Sequence, residues 1–254
     1  MTSMADAGAV ERAGRGGGAA RVTGRDGRAA AARRAGVRGF PGAWVSGVCL
    51  IVTPVLAVVG SALAIGAYSE SGPKLAAGLA DHHTRMVLAL NLNLAGVMLA
   101  FFAVAFLAQA IAASHPRLGR AGGVLAMLGL LGPAFFLGIF WGAAHIVDTP
   151  AHERVAALLI AGSNKVPTTI DNISGVCLLA GFIVLGIGAA KSGLLARGRA
   201  AALAATGLIP FGFISGYMMI ACLAFCGLAV AGVPMGVQVL RAARVATPEP
   251  AVTG

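Results

Sequence analysis

Apolar residues occur along this chain in long runs separated by short polar stretches. The runs cover about 43–68, 86–113, 121–147, 170–190 and 200–240. A membrane-spanning helix needs about 20 consecutive, mostly apolar residues, and each of the first four runs satisfies this length. The last run is about twice that long, and Gly212, Ser215 and Gly216 loosen its middle. The pattern therefore predicts an all-α, polytopic transmembrane helix bundle.

The predicted bundle has six spans, because the final run divides into helices at 200–215 and 217–240. Five spans are the alternative if that run forms one helix. Composition agrees with a membrane protein: 58% of the 254 residues are apolar and 11% are charged. Soluble domains average about 45–50% apolar and about 25% charged residues, so an ordinary soluble domain is excluded. The first run is also too long, and begins too late, for the apolar region of a signal peptide.

The residues outside the apolar runs define two tails around a transmembrane domain at 40–245. Residues 1–39 consist mainly of Gly, Ala and Arg, with eight arginines. Such a segment cannot bury enough apolar surface to fold, so we expect a disordered, basic cytoplasmic tail. Its arginines suit anionic lipid headgroups in the bilayer. Because the tail lacks aromatic residues for base stacking, no nucleic-acid partner is expected. Residues 246–254 form a short cytoplasmic tail.

The distribution of cationic residues predicts the orientation in the membrane. With the N-terminus inside, fifteen Lys and Arg residues fall on the inner side and four on the outer side. Positive residues concentrate on the cytoplasmic side of membrane proteins, so both termini should be cytoplasmic in a multi-pass plasma-membrane protein. A five-span chain would place Arg241 and Arg244 outside, which favours six spans. The Ala, Gly and Arg bias is typical of GC-rich bacterial genomes.

The connection after the fourth span carries the one resemblance to known proteins. Lys191-Ser192-Gly193-Leu194-Leu195-Ala196-Arg197 joins a glycine-rich span to two closely spaced final spans. This arrangement resembles a connection found in uncharacterised multi-span bacterial integral membrane proteins. In those proteins a proline usually precedes the arginine, where this chain has Ala196. The resemblance implies a bacterial multi-span protein and implies no site residues.

Polar residues at the outer ends of the predicted spans form the first candidate site. Polar side chains are costly in hydrocarbon and normally face a partner helix or a water-filled cavity. One interpretation is a ligand-binding pocket open to the outside, and the other is hydrogen bonding between helices. Asn91 and Asn93 are two positions apart and cannot share one helix face, which favours the second interpretation. The candidate residues are Asn91, Asn93, His145, Asp148, Asp171 and Asn172.

A metal site is the second candidate. His145, Asp148 and His152 would line one face of a continuous helix, and imidazole with carboxylate suits zinc. A zinc-activated water could then hydrolyse a lipid or peptide at the membrane surface. Thr149-Pro150 interrupts that helix, however, and the chain contains neither HExxH nor GxSxG. No cofactor is expected.

Small residues and prolines within the spans complete the pattern. GxxxG pairs, which allow close helix packing, occur at Gly138/Gly142, Gly212/Gly216 and Gly232/Gly236, with Gly60/Ala64 similar. They leave the oligomeric state open. Pro54, Pro133, Pro210 and Pro234 should kink their helices, as in transporters.

No charged residue lies near the middle of a span, however, which argues against ion-coupled transport. The leading hypothesis is a non-enzymatic interaction or accessory protein, or one that binds a ligand from the outer side. A small transporter and a membrane-embedded metal hydrolase are the alternatives.

Overall fold

The computed structural model describes residues 42–65, 80–146, 154, 167–210 and 218–246. Within these ranges the chain is helical and contains no strand. In chain order, the helices are α1 (Ala43–Ala64), α2 (His83–Ala112), α3 (Pro116–Ile146), α4 (Pro167–Lys191), α5 (Arg197–Ala205) and α6 (Met218–Ala246), and a 3-10 turn (Thr206–Leu208) follows α5. Five of the helices described here are long and apolar enough to cross a membrane, and α5 is the exception.

The helices pack in chain order, and the last one returns to the first. Each of α1 to α5 packs against the next helix in sequence, and α6 packs against α1. The neighbouring spans are antiparallel: Gly60 lies against Asn93, for example, and Gly122 lies against Leu185. The result is a closed ring of helices.

The ring has two ends, which are called the near end and the far end. The near end holds the start of α1, the connections 113–115 and 192–196, and the end of α6. The far end holds Ile65, the residues 80–82 that lead into α2, the end of α3 and the start of α4. The α1–α6 contact fixes this grouping, because Gly47 near the start of α1 lies against Leu240 near the end of α6.

The direction of the helices requires a sixth passage between α4 and α6. Since α1 to α4 alternate in direction and α6 is antiparallel to α1, α4 and α6 both run towards the near end. The chain must therefore return to the far end between them. The α5 segment makes this return along α4, with Ala200 beside Gly186 and Pro210 beside Gly175. The fold is thus the all-α bundle that the apolar pattern predicts, with the fifth passage begun by a short helix.

Small residues allow the helix backbones to approach closely. A Cβ added at Gly181 would collide with the Ala126 backbone, and one added at Gly129 would collide with the Leu178 backbone, so the α3–α4 seam needs both glycines. On the α1–α6 seam, a Cβ added at Gly236 would lie 2.6 Å from the Gly47 carbonyl oxygen. Close backbone contact replaces the hydrophobic driving force that is missing between helices in lipid.

The connection between α4 and α5 is ordered by a helix-ending motif. Gly193 adopts a left-handed conformation with φ of 67°, which favours glycine. The Leu195 N–H donates to the Ala189 carbonyl, and the Ser192 N–H donates to the Gly188 carbonyl. Leu195 is buried in the main core. These bonds satisfy carbonyls at the end of α4 and turn the chain into α5.

The helix boundaries differ from the predicted spans by a few residues. α3 begins at Pro116 rather than 121, because a helix continues through Arg117 and Arg120 whereas an apolar run stops at them. Proline also suits the first turn of a helix. α6 likewise extends to Ala246 rather than 240. The tails predicted at 1–39 and 246–254, apart from Ala246 itself, and residues 211–217 of the fifth and sixth predicted spans, lie outside the described residues.

Candidate functional site

The candidate polar residues that the structure describes lie towards the far end of the ring, on α2, α3 and α4. Asn91 and Asn93 are on α2, His145 is in the last turn of α3, and Asn172 is exposed near the start of α4. Asp171 belongs to α4, but its side chain is not among those described, and Asp148 lies outside the described residues. The described hydrogen bonds of this group are made by Asn91, Asn93 and His145.

Asn93 is buried against α1. Its side chain is 5% exposed, and its Oδ1 accepts a hydrogen bond from the Ser61 hydroxyl at 3.4 Å. Its Nδ2 donates to the Ala89 carbonyl one turn earlier at 3.0 Å. Gly60 makes room for the amide, because a Cβ there would lie 2.7 Å from Asn93 Nδ2. Asn93 thus links two helices.

Asn91 points to the other neighbour, α3. Its Oδ1 accepts a hydrogen bond from the Trp141 indole N–H at 3.0 Å, and its Nδ2 donates to the Val87 carbonyl at 2.9 Å. Asn91 and Trp141 are both exposed, so this pair lies on the outer surface of the ring. Its place near the far end is typical of tryptophan at a membrane–water boundary.

His145 extends this surface pair by one more side chain. Its Nδ1 donates to the Trp141 carbonyl at 2.9 Å, and the two ring centroids are 4.0 Å apart. The structure therefore brings Asn91 and His145 together through Trp141, while Asn93 faces a different helix.

Two further side chains of α2 form hydrogen bonds to backbone carbonyls of the neighbouring helices at the far end. The Arg85 guanidinium donates to the Leu63 carbonyl at 2.6 Å and to the Ile65 carbonyl at 2.8 Å, which closes the end of α1. His83 Nε2 donates to the Ala144 carbonyl at 3.2 Å. Terminal carbonyls of a helix need such partners, and a cation suits this end of the helix dipole.

An apolar cluster fills the space between these bonds. It joins α1, α2 and α3 and excludes water from the helix contacts around Asn93. Its members are Ala64, Met86, Ala89, Leu90, Leu137, Phe140, Ala143 and Ala144. The chemistry at this end is therefore hydrogen bonding between helices around a packed apolar centre.

The structure describes one of the three predicted metal ligands. His145 is described, whereas Asp148 and His152 lie outside the described residues, so the three-residue site stays a prediction. Among the residues that the structure does describe, no three His, Cys, Asp or Glu side chains are grouped to hold a metal ion.

One buried hydroxyl stands apart from these networks. Thr53 is 3% exposed, and its Oγ1 has no hydrogen-bond partner among the residues that the structure describes. It precedes Pro54, which has no N–H, so the Leu50 carbonyl lacks its usual donor within the helix. Gly232 of α6 approaches that carbonyl, since a Cβ added there would lie 2.8 Å from it. Thr53 therefore places an unsatisfied polar atom in the middle of α1.

Ser61, Trp141 and Thr53 were not singled out as site residues by sequence reasoning. Ser61 is next to Gly60 of the predicted small-residue pair, and Trp141 lies four residues before His145, so the spacing along the helices held a signal for Trp141. No sequence signal identifies which buried hydroxyl lacks a partner. No protein-family model matches the chain, and neither a curated protein nor a solved structure matches it.

Proposed function

We propose that this protein is a non-enzymatic interaction or accessory subunit of the plasma membrane, with both termini in the cytoplasm. The observation that carries the proposal is the use of Asn91 and Asn93. These polar side chains of α2 bond to two different neighbouring helices, Asn93 to α1 and Asn91 to α3. They support the ring itself, as polar groups between membrane helices commonly do.

The outer surface of α3 near the far end suits contact with another membrane protein. A Cβ added at Gly138 or at Gly142 would meet none of the described residues within 4 Å. The same GxxxG spacing at Gly232 and Gly236 on α6 holds the backbone of α1 in close contact. Gly138 and Gly142 therefore offer the partner's transmembrane helix a surface of the kind that this protein uses internally, next to the Trp141 side chain.

Site-specific photo-cross-linking tests this proposal. A benzoylphenylalanine at position 142 should give an adduct of one discrete mass with another membrane protein in intact cells. The matched control is the same residue at position 173, because Ile173 is 61% exposed on α4 near the same end. We expect only lipid adducts from position 173. Equal adduct patterns from the two positions would contradict a defined contact at α3.

A small transporter is the second candidate, and Thr53 is the observation that favours it. A buried hydroxyl without a partner among the described residues, next to a proline inside a helix, is a feature from which transporters build sites near the membrane midplane. A transporter needs water to reach this point, whereas an accessory subunit does not. Reaction of a Thr53→Cys variant with a membrane-impermeant thiol reagent would therefore favour the transporter over the accessory subunit.

A further inference from the structure

The cationic side chains at the near end have no partner within the described part of the protein. Seven of them are exposed, and none makes a described hydrogen bond or ion pair. Of the Asp and Glu residues, Asp81 is the one whose side chain the structure describes, and it belongs to the far end. Arg85 at that end differs, because its guanidinium is bonded to the end of α1. The unpaired cations are Arg117, Arg120, Lys191, Arg197, Arg199, Arg241 and Arg244.

Two of these cations head an exposed apolar column on α3. Arg117 and Arg120 lie in its first turns, and Val124, Leu128 and Leu131 follow at spacings of three or four residues. These three side chains are 58%, 49% and 53% exposed. At about 1.5 Å per residue, the column from Arg120 to Leu131 is about 17 Å long. Half of a hydrocarbon core is about 15 Å thick, so the column matches one leaflet.

A second column, headed by Lys191, runs beside it on α4. Ile187 and Ile183 lie one and two turns from Lys191 and are 45% and 40% exposed. α3 and α4 are direct neighbours at this level, because Gly188 of α4 packs against Leu118 of α3. Two apolar columns thus descend side by side from one group of cations.

We propose that the outer face of the α3–α4 pair at the near end binds an anionic phospholipid. Arg117, Arg120 and Lys191 hold its phosphate headgroup, and the two apolar columns hold its acyl chains. Charge complementarity identifies a negatively charged headgroup, and the length of the columns identifies a lipid rather than a soluble phosphate. This site is separate from the N-terminal tail and from the proposed contact at Gly138 and Gly142.

The end of α6 provides a matched comparison within the same protein. Arg241 and Arg244 are equally exposed and lie at the same end. Of the residues described on α6, the nearest large apolar side chain that is exposed is Val230, three turns away. The general positive charge of this end is therefore present at α6, whereas the apolar column is not.

Lipid titration of the purified full-length protein in detergent tests the proposal. Phosphatidylglycerol should raise the thermal unfolding midpoint more than phosphatidylcholine, and native mass spectrometry should show retained phosphatidylglycerol. The triple variant Arg117→Gln, Arg120→Gln, Lys191→Gln should weaken this binding about tenfold or more, since each cation near a headgroup contributes measurably. The control variant Arg199→Gln, Arg241→Gln, Arg244→Gln removes the same charge and should bind like the wild type.

Three results would overturn the proposal. If both triple variants lost the same affinity for phosphatidylglycerol, the lipid would respond to the total positive charge of the near end and not to a defined site. Equal shifts with phosphatidylglycerol and phosphatidylcholine would mean that the headgroup charge is not recognised. An equal shift with glycerol 3-phosphate would mean that the cations bind a soluble phosphate instead of a lipid.

Discussion

Asn91 and Asn93 show how a spacing of two residues on a helix separates two functions of one residue type. Successive residues are about 100° apart around an α-helix, so these side chains point about 200° apart. Asn93 consequently meets Ser61 inside the ring, and Asn91 meets Trp141 on its surface. The sequence was sufficient to predict that they cannot share a face. It could not identify their partners, because these lie 32 and 50 residues away along the chain.

The hydrogen bond between Asn93 and Ser61 should raise the free energy of unfolding, and the effects of substituting the two residues should be coupled. The Asn93→Ala variant should lower the free energy of unfolding by about 1–2 kcal/mol, since it removes the bond and opens space beside Gly60. A double-mutant cycle with Ser61→Ala should give a coupling of about 0.6 kcal/mol, which is typical between membrane helices. Unfolding in a sodium dodecyl sulfate titration measures both quantities.

A parallel cycle provides the control for this coupling. Asn91→Ala and Ser61→Ala change residues that share no partner, so their effects should add within about 0.5 kcal/mol. A coupling as large as that of Asn93 with Ser61 would show that the hydrogen bond is not its source.

At the scale of the helices, the same GxxxG pattern has two outcomes. Gly232 and Gly236 on α6 lie against the backbone of α1, whereas Gly138 and Gly142 on α3 face none of the helices that the structure describes. The pattern in the sequence is identical, and only the rotation of each helix about its axis distinguishes them. That rotation is set by packing of the whole ring, so it could not be predicted from either helix alone.

Substitution by alanine should separate the two glycine pairs. Gly236→Ala should destabilise the protein by about 1–3 kcal/mol, because the new methyl group meets the Gly47 carbonyl and backbone cannot move as a side chain does. Gly138→Ala should be neutral or stabilise α3 by up to about 1 kcal/mol through helix propensity. Thermal unfolding in detergent compares them. A larger loss of stability from Gly138→Ala would mean that α3 packs through that face.

The spans were predictable from hydropathy wherever a single apolar run forms a single helix. The predicted range 170–190 became Pro167–Lys191, and 86–113 became His83–Ala112. The fifth passage was harder to predict from hydropathy, because α5 has only nine residues before the 3-10 turn at Thr206–Leu208. Hydropathy measures transfer into lipid, and it does not register where a helix tightens or ends inside an apolar run.

At the scale of the whole molecule, the direction of α6 decides the number of passages. A five-span chain would bring the end of α6 to the far end, whereas Leu240 lies beside Gly47 at the near end. The near end carries seven exposed cations, and its placement on the cytoplasmic side stays a prediction from the distribution of positive residues.

Single cysteines should report this arrangement in intact cells. The four native cysteines, Cys49, Cys177, Cys222 and Cys226, would first be replaced by alanine. Cysteines at Ser114, Ser192 and Arg244 should then be protected from a membrane-impermeant reagent until the cells are opened, because their positions share the near end. A cysteine at Asp81 should react in intact cells. Labelling of Ser192→Cys and Arg244→Cys from opposite sides would mean an odd number of passages between them and the loss of the closed ring.

The contact between α1 and α6 is the last contact of the described ring that can form during synthesis. Helices enter the membrane in the order in which the ribosome makes them, and α6 is the last of the helices that the structure describes. The surface of α1 around Gly47 and Leu50 therefore stays uncovered, with the Leu50 carbonyl lacking its helical donor, until Gly232 and Gly236 have been translated. A nascent chain stopped before that point therefore lacks the helix that packs on α1 in the finished bundle.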